Sequence, residues 1–141
     1  MRVSNLVQEY LRKRIAEVRA GAPGQLSSDG SALMVDGSIG YECYVSSEGS
    51  VFIENYDMVG ESPSICDRSL RGQIAALVLG TRMHPVLREL LPPRDEDATT
   101  CGSCAGEGFV HSGPIRILCE ECCGLGWVSP SVFQEPSSPP N

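Results

Sequence analysis

The sequence predicts an α+β protein: a small antiparallel sheet packed with helices, followed by a separate cysteine-rich hairpin. Three observations carry this. Apolar residues recur at helical spacing near the N-terminus and again after residue 67. Between these stretches, residues 31–56 alternate apolar and polar side chains as half-buried strands do. Five of the seven cysteines fall after residue 100, in two similar clusters.

The first helix is expected over residues 3–19. Val3, Leu6, Val7, Tyr10, Leu11, Ile15 and Val18 fall on one half of a helical wheel, opposite Asn5, Glu9, Arg12, Lys13 and Ala16. Gly21, Pro23 and Gly24 end it. In the strand region, Ile39, Tyr41, Cys43 and Val45 share one face. Glu48-Gly49 turns the chain into residues 51–56, where Val51 and Ile53 face one way and Phe52 and Tyr56 the other. A second helix is expected over 67–79, with Asp67 as N-cap and Leu70, Ile74, Leu77 and Val78 as its stripe. A short third helix over 85–91 starts at Pro85, capped by His84, and closes at Pro92-Pro93. Residues 1–93 thus form the α+β domain. Residues 94–100 have no apolar stripe and read as a linker, and 134–141 as a disordered tail.

The 141 residues carry a formal charge of −7 with 41% apolar and 21% charged residues. That composition suits a globular, core-forming chain and argues against a protein that coats nucleic acid. The charge is uneven. Arg2, Arg12, Lys13, Arg14 and Arg19 make residues 1–20 net basic, whereas the rest of the chain is acidic. Docking of the basic helix on the acidic body is the plainer reading, and binding of a partner the other. No run approaches the ~18–20 apolar residues of a membrane span, and the start of the chain does not resemble a secretory signal.

The cysteines carry the most specific signal. Cys101-Gly102-Ser103-Cys104-Ala105-Gly106-Glu107-Gly108 and Cys119-Glu120-Glu121-Cys122-Cys123-Gly124-Leu125-Gly126 both read CxxCxGxG, followed by Phe109 and Trp127. Two residues between cysteines let the backbone curl so that both sulfurs meet one ion. Two such turns supply four sulfurs, the closed structural site that Zn²⁺ prefers. The glycines Gly106, Gly108, Gly124 and Gly126 permit positive φ just past each turn. Residues 109–111 and 115–118 read as short strands joined at Ser112-Gly113-Pro114, bringing the pairs together. The expected module, 101–128, holds one zinc on Cys101, Cys104, Cys119 and Cys122. Too few large apolar side chains lie between Cys101 and Trp127 to build a core. A structural zinc contributes on the order of 10–16 kcal/mol of apparent binding energy, enough to replace one.

Paired CxxCxGxG units resemble the cysteine-rich zinc domain of the DnaJ co-chaperone family. The family's domain has four units and two zinc ions; two units here imply one. The resemblance covers residues 101–127 and carries over the four cysteines as ligands and the four glycines as turn residues. A J-domain would need His-Pro-Asp, but His84-Pro85 is followed by Val86, so the chain is not a full DnaJ protein. A fainter similarity links Glu48-Gly49-Ser50-Val51-Phe52-Ile53 to bacterial SUKH-type immunity and interaction domains.

Other tempting residues have plainer readings. Cys123 has Ala105 as its counterpart and is expected to be a non-ligand thiol. Cys43 reads as a small buried hydrophobe, and Cys66 as packing at a helix start, with thiol reactivity the alternative. His111 is superfluous beside four cysteines. Tyr41, Tyr44, Phe52 and Tyr56 could stack bases only with basic neighbours, yet Glu42, Glu48, Glu54 and Asp57 surround them. The expected function is a non-catalytic, zinc-stabilised protein–protein interaction module: an adaptor, assembly factor or chaperone-like partner. Phe109, Ile115, Leu118 and Trp127 would form its docking surface. The alternatives are a SUKH-like toxin-binding protein and a thiol–disulfide redox protein using the CxxC pairs. A reducing cytoplasm is the compartment such thiols suit.

Overall fold

The computed structural model describes residues 4–38, 40–56 and 66–133, without the side chains of Ser131 and Phe133. The expectations placed on Arg2, Val3, Ile39, Asp57 and the 134–141 tail lie outside these residues. The fold is α+β, and the chain divides into two compact units, Met1–Leu91 and Pro92–Asn141. Among the described residues no helix is long and apolar enough to cross a membrane.

The first unit opens with helix α1, Asn5–Arg19. Ser4 caps it by accepting a hydrogen bond from the Val7 N–H at 3.3 Å, and Gly21 continues from its C-terminus at φ 107°. Val7, Leu11 and Ile15 are buried. Leu6, expected on the buried stripe, is 63% exposed. It lies at one edge of the predicted arc, and the contact made by α1 is centred nearer Ile15.

Strands β1 (Ala32–Ser38), β2 (Tyr41–Ser46) and β3 (Val51–Glu54) form an antiparallel meander in the order β1-β2-β3. Leu33 pairs with Val45 and Cys43 with Ile53, giving one apolar face, while Met34 and Phe52 flank Tyr44 on the other. A bulge between Met34 and Asp36 shifts the β1 register. The hairpin turn closes where the Gly49 N–H bonds to the Ser46 carbonyl, with φ 86° at Gly49.

Helix α2, Leu70–Gly80, packs on all three strands. Its N-cap is Ser69, not Asp67: the Ser69 side chain accepts from the Gly72 N–H at 3.0 Å, and the Asp67 carboxylate instead accepts from the Ser69 N–H at 2.9 Å. The buried face is also broader than the predicted stripe. Leu70 is 54% exposed, whereas Ala75 and Ala76 are fully buried beside Ile74 and Leu77. Small residues let the helix axis approach the sheet. A Cβ on Gly80 would lie 3.1 Å from a Val35 methyl, so the contact there is backbone against side chain.

The expected third helix is a 3-10 helix, Pro85–Leu90. Leu91 turns extended at ψ 147°, the conformation that Pro92 imposes on its predecessor. His84 precedes this helix without capping it through its side chain. Its Nδ1 instead lies 2.5 Å from the Tyr10 hydroxyl on α1, and Ser4 donates to Glu89 across the same contact.

Burial holds the His84 pKa below its ordinary value of 6.5, with the nearby Arg14 adding to the effect. The unfolded chain therefore binds a proton that the folded chain resists, and stability falls as pH drops from about 6.5 toward the folded value. Urea melts at pH 7.5 and 5.5 will show a larger acid loss for the native protein than for His84→Gln. Equal losses would remove His84 as the cause.

Candidate metal centre

The second unit is built around its two cysteine turns. Strands β5 (Phe109–Ser112) and β6 (Ile115–Leu118) form the predicted hairpin, closed at Gly113 with φ 62°. A second ladder joins β4 (Thr99–Thr100) to β7 (Trp127–Val128), and a short helix α3 (Pro130–Phe133) follows. The expected linker, 94–100, thus contains β4 and falls within the second unit. Asp95 is also structural, since both its carboxylate oxygens accept from the Ser129 hydroxyl, at 2.9 and 2.7 Å. Ser129 is buried, so this contact closes the open end of the β4–β7 ladder.

The two CxxCxGxG turns match contact for contact. The Cys101 N–H donates to the Gly126 carbonyl at 3.0 Å, and the Cys119 N–H to the Gly108 carbonyl at 2.9 Å. The Gly108 N–H reaches the Cys104 sulfur at 3.2 Å, as the Gly126 N–H reaches that of Cys122. A Cβ on Gly108 would lie 2.5 Å from the Gly124 carbonyl oxygen, and one on Gly126 would lie 2.5 Å from that of Gly106. Exchanging the repeats maps each contact onto its counterpart. All four motif glycines take positive φ, between 82° and 88°. The residue after each second cysteine also does so, with φ 54° at both Ala105 and Cys123. The sequence gives no sign of this, because neither side chain advertises a left-handed conformation.

The result is a group of four buried sulfurs, Cys101, Cys104, Cys119 and Cys122, all within 4.8 Å of one another. Cys101 and Cys119 are 3.8 Å apart, Cys104 and Cys122 3.7 Å. These residues can hold a metal ion. Among thiols without one, protons are shared unevenly. Burial pushes Cys122 up to about 12. Burial also opposes ionisation of Cys104, but hydrogen bonds from the Gly108 N–H and from the Cys122 and Cys101 thiols outweigh it, bringing Cys104 to about 7.

Cys123 is fully buried but outside this group, its sulfur 3.9 Å from the Glu120 carbonyl oxygen. His111 is exposed on β5. Cys43 and Cys66 are buried in the first unit, where burial pushes the Cys43 thiol up to about 12.

The expected docking residues divide. Ile115 is 61% exposed, and Phe109 is half-buried with the Arg116 guanidinium 4.0 Å from its ring centroid. Leu118 and Trp127, expected to be partly exposed, are buried. Leu118 adjoins Cys119, whose N–H is tied to Gly108, and Trp127 is drawn in by the β4–β7 ladder. Ile117, which the sequence pattern does not single out, is 46% exposed. It shares the Ile115 face by strand alternation.

Comparison with protein-family models, curated proteins and solved structures finds no match. The DnaJ-type resemblance therefore rests on the motif itself, as a zinc-finger-like segment, and the SUKH-type resemblance gains no support.

Gly126→Ala should cost several-fold to orders of magnitude in metal affinity, because its Cβ meets a backbone carbonyl at a positive-φ position. Cys122→Ala should abolish stoichiometric binding, and Cys123→Ala should preserve it. Competition titration against a chromogenic chelator measures all three; metal loss in Cys123→Ala would make that thiol a ligand.

Proposed function

We propose that the second unit is a structural zinc module serving as a non-catalytic protein–protein interaction element. The spacing of the sulfurs carries the metal assignment. Four thiolates placed tetrahedrally at a Zn–S distance of about 2.3 Å lie roughly 3.8 Å apart. Two of the six separations, 3.8 and 3.7 Å, match that value, and all four sulfurs lie within 4.8 Å of one another. Backbone N–H groups already point at the sulfurs and offset part of the charge that four thiolates bring together.

Four thiolates complete the coordination sphere of zinc and leave no position for activating water, which favours structure over hydrolysis. The hairpin then becomes a rigid platform. Ile115 and Ile117 form an exposed apolar pair on one face, and Arg116 stacks on Phe109 on the other. These, in place of Leu118 and Trp127, are the side chains offered to another protein.

Metal analysis of the purified chain should return one zinc per molecule, and a strong chelator should abolish the circular dichroism and tryptophan signal of this unit. Absence of stoichiometric zinc overturns the metal reading. Ile115→Asp with Ile117→Asp should leave zinc content and melting temperature within about 2 °C of the native values, as for other exposed sites. The same change should remove partners that co-purify from the native cell. Turnover of insulin disulfides by the native protein would favour redox chemistry instead.

A further inference from the structure

The outer edge of β6 lacks a partner for both its backbone and its side chains. The hairpin sheet holds only β5 and β6, and among the described residues no backbone group outside that pair bonds to Ile115–Leu118. Such an edge presents a row of N–H and C=O groups to any extended chain that reaches it. Ile115 and Ile117 are exposed on one face of the strand. Arg116, exposed on the other, is the one lysine or arginine between Cys101 and Val128. Among the described residues it pairs with no carboxylate. The Phe109 ring holds its guanidinium from one side, 4.0 Å from the centroid, which leaves the N–H groups at the guanidinium edge to meet an anion.

The edge is also bounded. Pro114 precedes it and has no N–H to offer, and the Cys119 N–H beyond it is taken by the Gly108 carbonyl. Strand β5 does not match it, since Val110 packs on the cysteines and His111 and Ser112 are polar. Along β6 the exposed pattern is therefore apolar, basic, apolar. Cross-strand neighbours share a face, so the complementary strand runs apolar, acidic, apolar. A second copy of β6 does not supply this. The antiparallel register that sets Ile115 against Ile117 also sets Arg116 against its own counterpart, like charge on like charge.

We propose that β6 takes up, as a third strand, an extended segment of a partner protein in which an acidic residue sits between two apolar ones. This rests on the interaction role proposed above and gives the partner its chemistry. Backbone pairing supplies binding, the apolar residues cover Ile115 and Ile117, and Arg116 selects the acid.

The probe is a short fluorescein-labelled peptide of serine and threonine with valine-glutamate-valine at its centre, titrated by anisotropy with the full zinc-loaded chain. Native protein should bind it, and lysine in place of the peptide glutamate should weaken binding about tenfold or more. Arg116→Glu should reverse that preference while keeping one zinc per chain. Two further peptides are N-methylated on alternate amides, one on each set. One set faces β6 and the other faces away, so one peptide should lose binding and the other keep it. Absence of native binding overturns the proposal, as do N-methylated peptides that bind equally or an Arg116→Glu variant with the native preference. A native dimer in sedimentation that Ile117→Asp dissociates would give the edge to a second copy, and also overturn it. If no peptide binds, yet Ile115→Asp with Ile117→Asp still releases co-purifying partners, strand addition fails and the interaction role stands.

Discussion

Backbone pressed on backbone governs the second unit. Gly126 lies against Gly106 and Gly108 against Gly124, so close that a side chain on Gly108 or Gly126 would overlap the facing carbonyl. That approach places the Cys101 and Cys119 amides on the opposite turn and aims the four sulfurs inward. The remaining features follow from it. The hairpin and the β4–β7 ladder are two copies of one arrangement, the first closed by Gly113 and the second by the Asp95–Ser129 contact. Positive φ at Ala105 and Cys123 is imposed by the same geometry, at a cost that only an over-determined structure sustains.

This unit is legible in the sequence because its constraints are written in residue types. Cysteine spacing and glycine placement each have few explanations, and two copies make coincidence harder. Thr99, Thr100 and Asp95 are illegible for the opposite reason. A two-residue ladder has no periodicity to detect, and an aspartate that closes it looks like any acidic linker residue. Exposure is hidden for a related cause. Residue type alone puts Leu118 and Trp127 on the surface of a small hairpin, but burial depends on the turn geometry beside each, and both are buried.

In the first unit, period and turn signals locate the strands and helices, while capping and contact faces depend on packing. Asp67 and Ser69 are both good caps, and only the folded chain shows that Asp67 serves the turn before the helix. Large residues define the α2 stripe in the sequence, yet Ala75 and Ala76 are its most buried side chains and Gly80 makes a close contact with the sheet. His84 stands where a cap for the following helix would stand, but its partner is Tyr10, more than seventy residues away in the chain. Helical periodicity carries no information about such pairings.

A small unit ordinarily spends its apolar side chains on its own core. On the zinc reading the metal takes over that role, because ion binding and folding become one equilibrium. Leu118 and Trp127 are buried, and Val110 and Val128 pack on the cysteines. Ile115 and Ile117 are then surplus to stability. An apolar pair left exposed on a hairpin with only one fixed charge, Arg116, is hard to explain by folding. It is readily explained by contact with another molecule. On that reading the ion would hold the scaffold, and the side chains are released to face outward.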